Sequence, residues 1–314
     1  MLQVDALTIG VEHSPLSLLR AVSFTVEAGE VMGLVGESGS GKTMASLAMM
    51  GILPSGIEFR KGSVAVDGRP LVDTDGVIRR TAEEMAMIFQ HPRSALNPTM
   101  RVGRQIGRVI RINQDVSDEV AQRRAVEMLA HVGIPGASRV AKAYPHQLSG
   151  GMCQRVMIAM ALSCRPKVLI ADEATTALDV TIQAQIFDLI RDLVAETRAA
   201  VVFITHDLAA VAEMCDRVTV MYGGQVMETG DTRSVLTNPQ HPYTRFLLDA
   251  IEREVDPRVE EKGVNFALTG CRFAHRCPYA FEACSDFPPL VQVGETHHVS
   301  CFLHADERSP SATA

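Results

Sequence analysis

Two short stretches concentrate the residue types that handle phosphates. GESGSGKT, residues 36–43, has the spacing G-x-x-x-x-G-K-[ST]. Gly36, Gly39 and Gly41, with Glu37, Ser38 and Ser40 between them, let backbone N–H groups curl around an anion. Lys42 is long enough to reach β and γ oxygens, and the Thr43 hydroxyl can enter the shell of Mg²⁺. VLIADE, residues 168–173, brings Asp172 and Glu173 to the end of an apolar run. Asp172 there can join the metal shell, and Glu173 can orient or deprotonate an attacking water. Alone, each stretch has a bland counterpart: a Gly/Ser-rich loop, or a strand that closes on two acids. Together they point to phosphate-ester chemistry.

A third stretch is of a different kind. Cys271, Cys277, Cys284 and Cys301 are spaced C-x₅-C-x₆-C-x₁₆-C, whereas Cys153, Cys164 and Cys215 are scattered. With no export signal at MLQVDALTIG, the cysteines favour thiols or metal ligands over disulfides. Four clustered thiols suit Zn²⁺ or an iron–sulfur cluster. The spacing is wider than the C-x₂₋₄-C pairs of structural zinc sites, while His275, His297, His298 and His304 nearby keep zinc open. Unligated or redox-active thiols are the third alternative.

The elements that must position these groups follow from patterning. Residues 1–70 alternate apolar and polar in LQVDALTI, LLRAVSFTV and SVAVDG, which predicts short strands. EVMGLVG, KVLIAD and AVVFITHD are continuous apolar runs, as expected of strands buried on both faces. TIQAQIFDLIRDLVAETR between the last two is helical, so the succession is βαβ and the sheet parallel. Residues 92–165 are mostly helical. Beyond about 255 periodicity gives way to Pro, Gly, His and Cys, which divides the chain into a body, 1–255, and a cysteine-rich region, 256–314.

At 314 residues, 46% hydrophobic and 21% charged, the composition is that of a globular chain with room for a large core and a smaller appendage. A net charge of −7 argues against a broad electrostatic hold on nucleic acid. No stretch approaches the roughly 20 apolar residues of a bilayer-spanning helix.

LSGGMCQRV, residues 148–156, places Ser149 as an N-cap before Gly150 and Gly151, leaving helix N–H groups to face an anion. Between GESGSGKT and the DE pair, it resembles the signature of ABC-type ATPases. Gln90 in MIFQHP, Asp179 in ALD and His206 in FITHD fall in the family's order, and the resemblance covers about residues 5–235. It implies an α/β fold with a parallel-sheet core, an antiparallel β subdomain and a helical subdomain over about 92–165. It implies ATP and Mg²⁺ as cofactors, with Thr43, Gln90 and Asp172 around the metal, Glu173 and His206 in catalysis and Gln90 as the link to a membrane subunit. Each ATP would lie between the Lys42 loop of one cassette and the Ser149-Gly150-Gly151 terminus of another. Three positions depart from the family: TIGVEHSP leaves adenine contact to Val11 or His13, Met152 replaces Gln, and Ala174 replaces Pro.

NPQHPYTRFLLDAI, HPRSALNP, YPHQLSGGM and ADEATTALDVTIQAQI resemble the oligopeptide, dipeptide and nickel importer branch. The resemblance implies an ATPase subunit paired with a second, different one under two permease subunits, fed by an extracytoplasmic solute-binding protein. Its place would be the cytoplasmic face of the cell membrane, as a peripheral subunit. The four cysteines resemble those associated with a [4Fe–4S] cluster in one such subunit, although EEKGVNFALTG replaces the usual proline-rich lead-in. Short peptides are the favoured cargo; nickel, which MGILPSGIEF resembles, and opine-like solutes are alternatives. A soluble ABC ATPase acting on nucleic acid or ribosomes is disfavoured, since such chains usually carry two cassettes and this one has a single phosphate loop. An ATPase gated by a redox- or iron-sensing tail remains compatible with import.

Overall fold

The computed structural model describes residues 1–72, 84–174, 180–252 and 269–305. Two sheets organise them. The first is antiparallel, with β1 (Leu2–Val11) between β2 (Ser17–Val26) and β4 (Ile57–Val66), and β5 (Arg69–Val72) on its edge. Between β2 and β4 the chain crosses to the second sheet as β3 (Val31–Val35), and α1 (Lys42–Met49) follows after a short loop.

The second sheet has a parallel centre. Its strands β3, β6 (Met85–Ile88), β7 (Val168–Asp172), β8 (Ala200–Ile204) and β9 (Arg217–Tyr222) run in the order β9-β3-β8-β7-β6. The apolar runs EVMGLVG, KVLIAD and AVVFITHD are β3, β7 and β8, and every residue of those strands is buried. Their alternation splits the core in two. Met32, Leu34, Ile170, Val202 and Ile204 face the antiparallel sheet and α1. Val31, Val35, Leu169, Ala171, Val201 and Phe203 face the helices. Burying each such aliphatic side chain contributes about 1.5–3 kcal/mol, so a one-residue register slip would forfeit both faces at once.

Between β6 and β7 the chain is mostly helical. After α2 (Pro92–Ala95), α3 (Val102–Asn113) and α4 (Asp118–His131) pack together, and α5 (Ala137–Val140) leads to α6 (Gly150–Ser163). Ser117 caps α4 by accepting the Val120 N–H at 3.3 Å, with Asp118 and Glu119 in the first turn complementing the helix dipole. On the other side of the chain, α7 (Val180–Thr197) joins β7 to β8, and α8 (Leu208–Met214) joins β8 to β9.

The cysteine-rich region is tied more closely to the body than its composition suggests. After β10 (Gln225–Asp231), antiparallel to β9, come α9 (Thr232–Thr237) and α10 (Pro242–Glu252). The strands β11 (Leu290–Gln292) and β12 (His298–Ser300) then extend the main sheet, β12 pairing antiparallel with β10 through Glu228↔Val299 and Thr229↔His298. The body boundary near 255 lies outside the described residues. No described helix is long and apolar enough to cross a membrane.

Candidate active site

In an open parallel sheet, ligands meet the carboxyl ends of the strands. Four neighbouring strands end together here: β3 runs into the 36–43 loop, β8 into His206, β7 into Asp172-Glu173, and β6 approaches Gln90. Sheet order therefore assembles residues more than 160 positions apart in sequence, such as Lys42 and His206.

The loop's shape depends on glycine at two points. Gly36 has φ +151°, and a Cβ there would lie 2.1 Å from the Met221 carbonyl oxygen. Gly41 has φ +100°, and its Cβ would lie 2.9 Å from Leu19 Cδ2. Gly39, at φ +81°, has no heavy atom within 4 Å of its Cβ position, leaving an open side to the cradle. Lys42 opens α1 and is 6% exposed. Its ammonium donates to Gly36 O at 2.8 Å, Glu37 O at 3.0 Å and Ser40 Oγ at 3.2 Å, using all three donors within the loop. Burial lowers its pKa, opposed by the charges of Glu173, Asp172 and Glu37.

Asp172 is 1% exposed. Burial raises its pKa, while hydrogen bonds from Thr43 and Ser46 act the other way. One carboxylate oxygen, Oδ2, lies 3.5 Å from Ser46 Oγ, and the other, Oδ1, is buried with no hydrogen-bond partner. A buried carboxylate oxygen left over beside a threonine hydroxyl is what the outer shell of Mg²⁺ requires, so the residues present fit that ion.

Glu173 stands in the left-handed region at φ 47°, a conformation that costs a non-glycine residue about 1–3 kcal/mol and gathers at functional sites. Its N–H is held by Ile204 O at 2.9 Å. Gln90 Nε2 donates to Glu173 Oε2 at 2.6 Å, and His206 Nδ1 is 3.4 Å from Oε1. Asp207 follows and caps α8, accepting from Ala209 and Ala210, which fixes where the chain turns after His206. Glu173, Gln90 and His206 thus form one polar group.

Ser149 is the N-cap of α6, accepting the Met152 N–H at 3.3 Å, and Ser149 and Gly150 are exposed. The turn faces solvent, while further along the helix Gln154 Nε2 donates to Ala174 O at 2.8 Å, next to Glu173. Val11 is half-buried at the end of β1, and His13 is exposed at φ 58°. Asp179 lies outside the described residues.

The four clustered cysteines are free thiols. Burial raises the pKa of Cys271 to about 11, and raises those of Cys277 and Cys301. Cys271 feels the charges of Cys277, Cys284 and Cys301, so the chain does bring all four within electrostatic reach. The backbone N–H groups of Phe273, Tyr279 and Leu303 donate to the sulfurs of Cys271, Cys277 and Cys301, each from two residues downstream. Among the described residues, however, no three His, Cys, Asp or Glu side chains are arranged to hold a metal ion. The expected metal ligands therefore stand as neighbouring thiols, not as a preset ion site.

Sequence reasoning missed the partners of the phosphate loop. Tyr243, in the HPYT segment, accepts the Glu37 N–H on its hydroxyl at 2.9 Å. Arg276, between two of the cysteines, bonds Glu37 Oε2 at 3.0 Å. Glu228, fully buried, accepts from the N–H groups of Gln240 and His241 and lies 2.6 Å from His297 Nε2. The HPYT segment was visible as a motif; nothing local signals that its tyrosine reaches a loop 206 residues earlier.

Comparison with known proteins agrees with this geometry. Residues 19–176 match the ABC transporter family, and residues 227–284 match the oligopeptide/dipeptide transporter C-terminal region. The oligopeptide transport ATP-binding protein OppD of Salmonella typhimurium is 42% identical, over 98% of this chain and 95% of its own. The dipeptide transport ATP-binding protein DppD of Escherichia coli is 43% identical over 98% of both. Among solved structures, a dimeric ATP-binding cassette in a post-hydrolysis state with ADP and Pi superposes with TM-score 0.63 at 27% identity, covering 74% of this chain and 99% of that one. The chain belongs to the ATP-binding subunits of the oligopeptide/dipeptide branch of the ABC transporter family.

Proposed function

We propose that this chain hydrolyses ATP to energise import of short peptides through a membrane ABC transporter, as one of two different ATPase subunits beneath two permease subunits. An extracytoplasmic solute-binding protein would deliver the cargo, and this subunit would lie peripherally on the cytoplasmic face of the membrane. The observation that carries the reading is similarity to peptide transport ATP-binding proteins over nearly the whole chain, including the HPYT segment, joined to the polar group of Glu173, Gln90 and His206 at the strand ends.

In this reading the N–H groups of residues 36–43 hold the phosphates and Lys42 turns donors from its own loop to the β and γ oxygens. Thr43, Gln90 and Asp172 would hold Mg²⁺, which would supply positive charge against the phosphate oxygens. Glu173 orients or deprotonates the attacking water, and His206 contacts the γ-phosphate. Because Gln90 bonds Glu173 directly, a permease that shifts Gln90 changes the base as well. Ser149, Gly150 and Gly151 serve the nucleotide on the paired subunit's loop, and Asp179 belongs to the same dimer face.

The finer proposal for Cys271, Cys277, Cys284 and Cys301 is a [4Fe–4S] cluster in a stabilising role. Burial raises the pKa of Cys271, Cys277 and Cys301, and the N–H groups of Phe273, Tyr279 and Leu303 oppose that shift at the sulfurs a cluster would take as thiolates. Iron, acid-labile sulfide and zinc are to be measured on anaerobically purified protein beside a Cys277→Ser/Cys284→Ser control. Iron and sulfide in near-equal amounts, lost in the control, are expected; zinc without sulfide, or no metal, overturns the cluster.

A further inference from the structure

Glu37 is the second residue of the phosphate loop and is held at three places. Its N–H is bonded by the Tyr243 hydroxyl at 2.9 Å, its carbonyl by Lys42 at 3.0 Å, and its carboxylate by Arg276 at 3.0 Å. Both ends of the ion pair are largely shielded from water: the Glu37 side chain is 3% exposed and that of Arg276 11%. In such surroundings a charge pair is screened little, and its geometry is constrained by packing.

The partners come from the far end of the chain and are themselves locked. Tyr243 has no exposed surface, and its ring lies 4.7 Å from that of Tyr222 and 5.3 Å from that of Phe273. Arg276 stacks over Phe246 at 4.6 Å and lies within 3.4 Å of the Tyr222 hydroxyl. His241 Nδ1 accepts the Tyr243 N–H at 3.0 Å, fixing the start of α10. The Arg272 N–H donates to Gln225 Oε1 at 3.0 Å, which anchors the segment carrying Arg276 to β10. The seat is built from α10, β9 and the cysteine-rich region together.

We propose that Arg276 and Tyr243 are positioning residues for nucleotide binding: through Glu37 they hold the phosphate loop in the geometry that receives ATP. Phosphates bind to backbone N–H groups, so affinity depends on the orientation of peptide planes. The Glu37 peptide precedes those of Ser38 to Thr43, and freeing it lets the whole loop wander. Glu173, His206 and Gln90 stand on other strands and do not depend on this seat. The cysteine-rich region thereby supports ATP binding directly, beyond any metal it holds. This inference rests on the ATPase assignment and adds to it.

The test uses the full-length protein and the Kd of MgATP. Arg276→Met and Glu37→Gln should each weaken binding about tenfold, and the double variant should be no weaker than either, because both break one interaction. Arg276→Lys, which keeps the charge, should recover part of the loss. Tyr243→Phe removes only a hydroxyl and should weaken binding several-fold while folding normally, so it serves if Arg276→Met does not fold. Unchanged Kd in Tyr243→Phe and Arg276→Met, or losses that simply add in the double variant, overturns the proposal. Failure of the wild-type protein to bind MgATP would instead remove the ATPase assignment.

Discussion

Glu173→Gln lowers ATP hydrolysis by about 10²–10⁴, equivalent to about 3–5 kcal/mol of barrier, while MgATP still binds. The glutamine keeps the size of the side chain and can still meet Gln90 and His206, which contact the two carboxylate oxygens at 2.6 and 3.4 Å. What it loses is the negative charge that attracts a water proton. Steady-state phosphate release and equilibrium nucleotide binding, measured on the same preparation, separate the two effects. A variant with near-normal turnover would remove Glu173 from the chemistry. One that no longer binds MgATP would make it a structural support of the loop.

Lys42→Ala has the opposite signature, losing binding first. Lys42 is a buried cation within electrostatic reach of Glu173, Asp172 and Glu37, and its removal takes that positive charge away from them. It also deletes the donors to Gly36 O, Glu37 O and Ser40 Oγ that shape the loop. Two charge-assisted hydrogen bonds to phosphate are worth about 1.5–3 kcal/mol each. Affinity for MgATP should therefore fall about 10²-fold or more, and hydrolysis with it. Thermal unfolding with and without MgATP checks this: the nucleotide raises Tm in the wild type, and the shift should vanish in the variant. A preserved shift would mean that the backbone cradle alone holds the phosphates.

Much of this site was open to sequence reasoning because its parts are local. Buried apolar runs followed at once by GESGSGKT, DE or THD specify strand ends, and the right-handed βαβ rule places such ends on one side of a sheet. Ser149 and the helices over 92–165 were legible for the same reason: caps and periodicity are properties of a few adjacent residues. The division near 255 describes composition well but not connection. The strand β12 docks on β10, and Arg276 reaches Glu37, through contacts whose members lie 69–239 residues apart. A buried ion pair or a three-residue edge strand leaves no periodic trace, and neither Arg276 nor Tyr243 looks unusual in its own segment. The cysteine spacing announced neighbouring thiols; among the described residues no three His, Cys, Asp or Glu side chains are arranged to hold a metal ion, an arrangement that spacing does not contain.

In the proposed function this subunit spends ATP to move short peptides across a membrane. Its most direct test is uptake of a labelled short peptide into proteoliposomes holding the chain with its paired ATPase and permease subunits, supplied with the solute-binding protein. Uptake should require MgATP and collapse with Glu173→Gln, although the complex still assembles. Uptake that persists without ATP or in the Glu173→Gln complex, or vigorous ATP hydrolysis with no peptide transported, would contradict it.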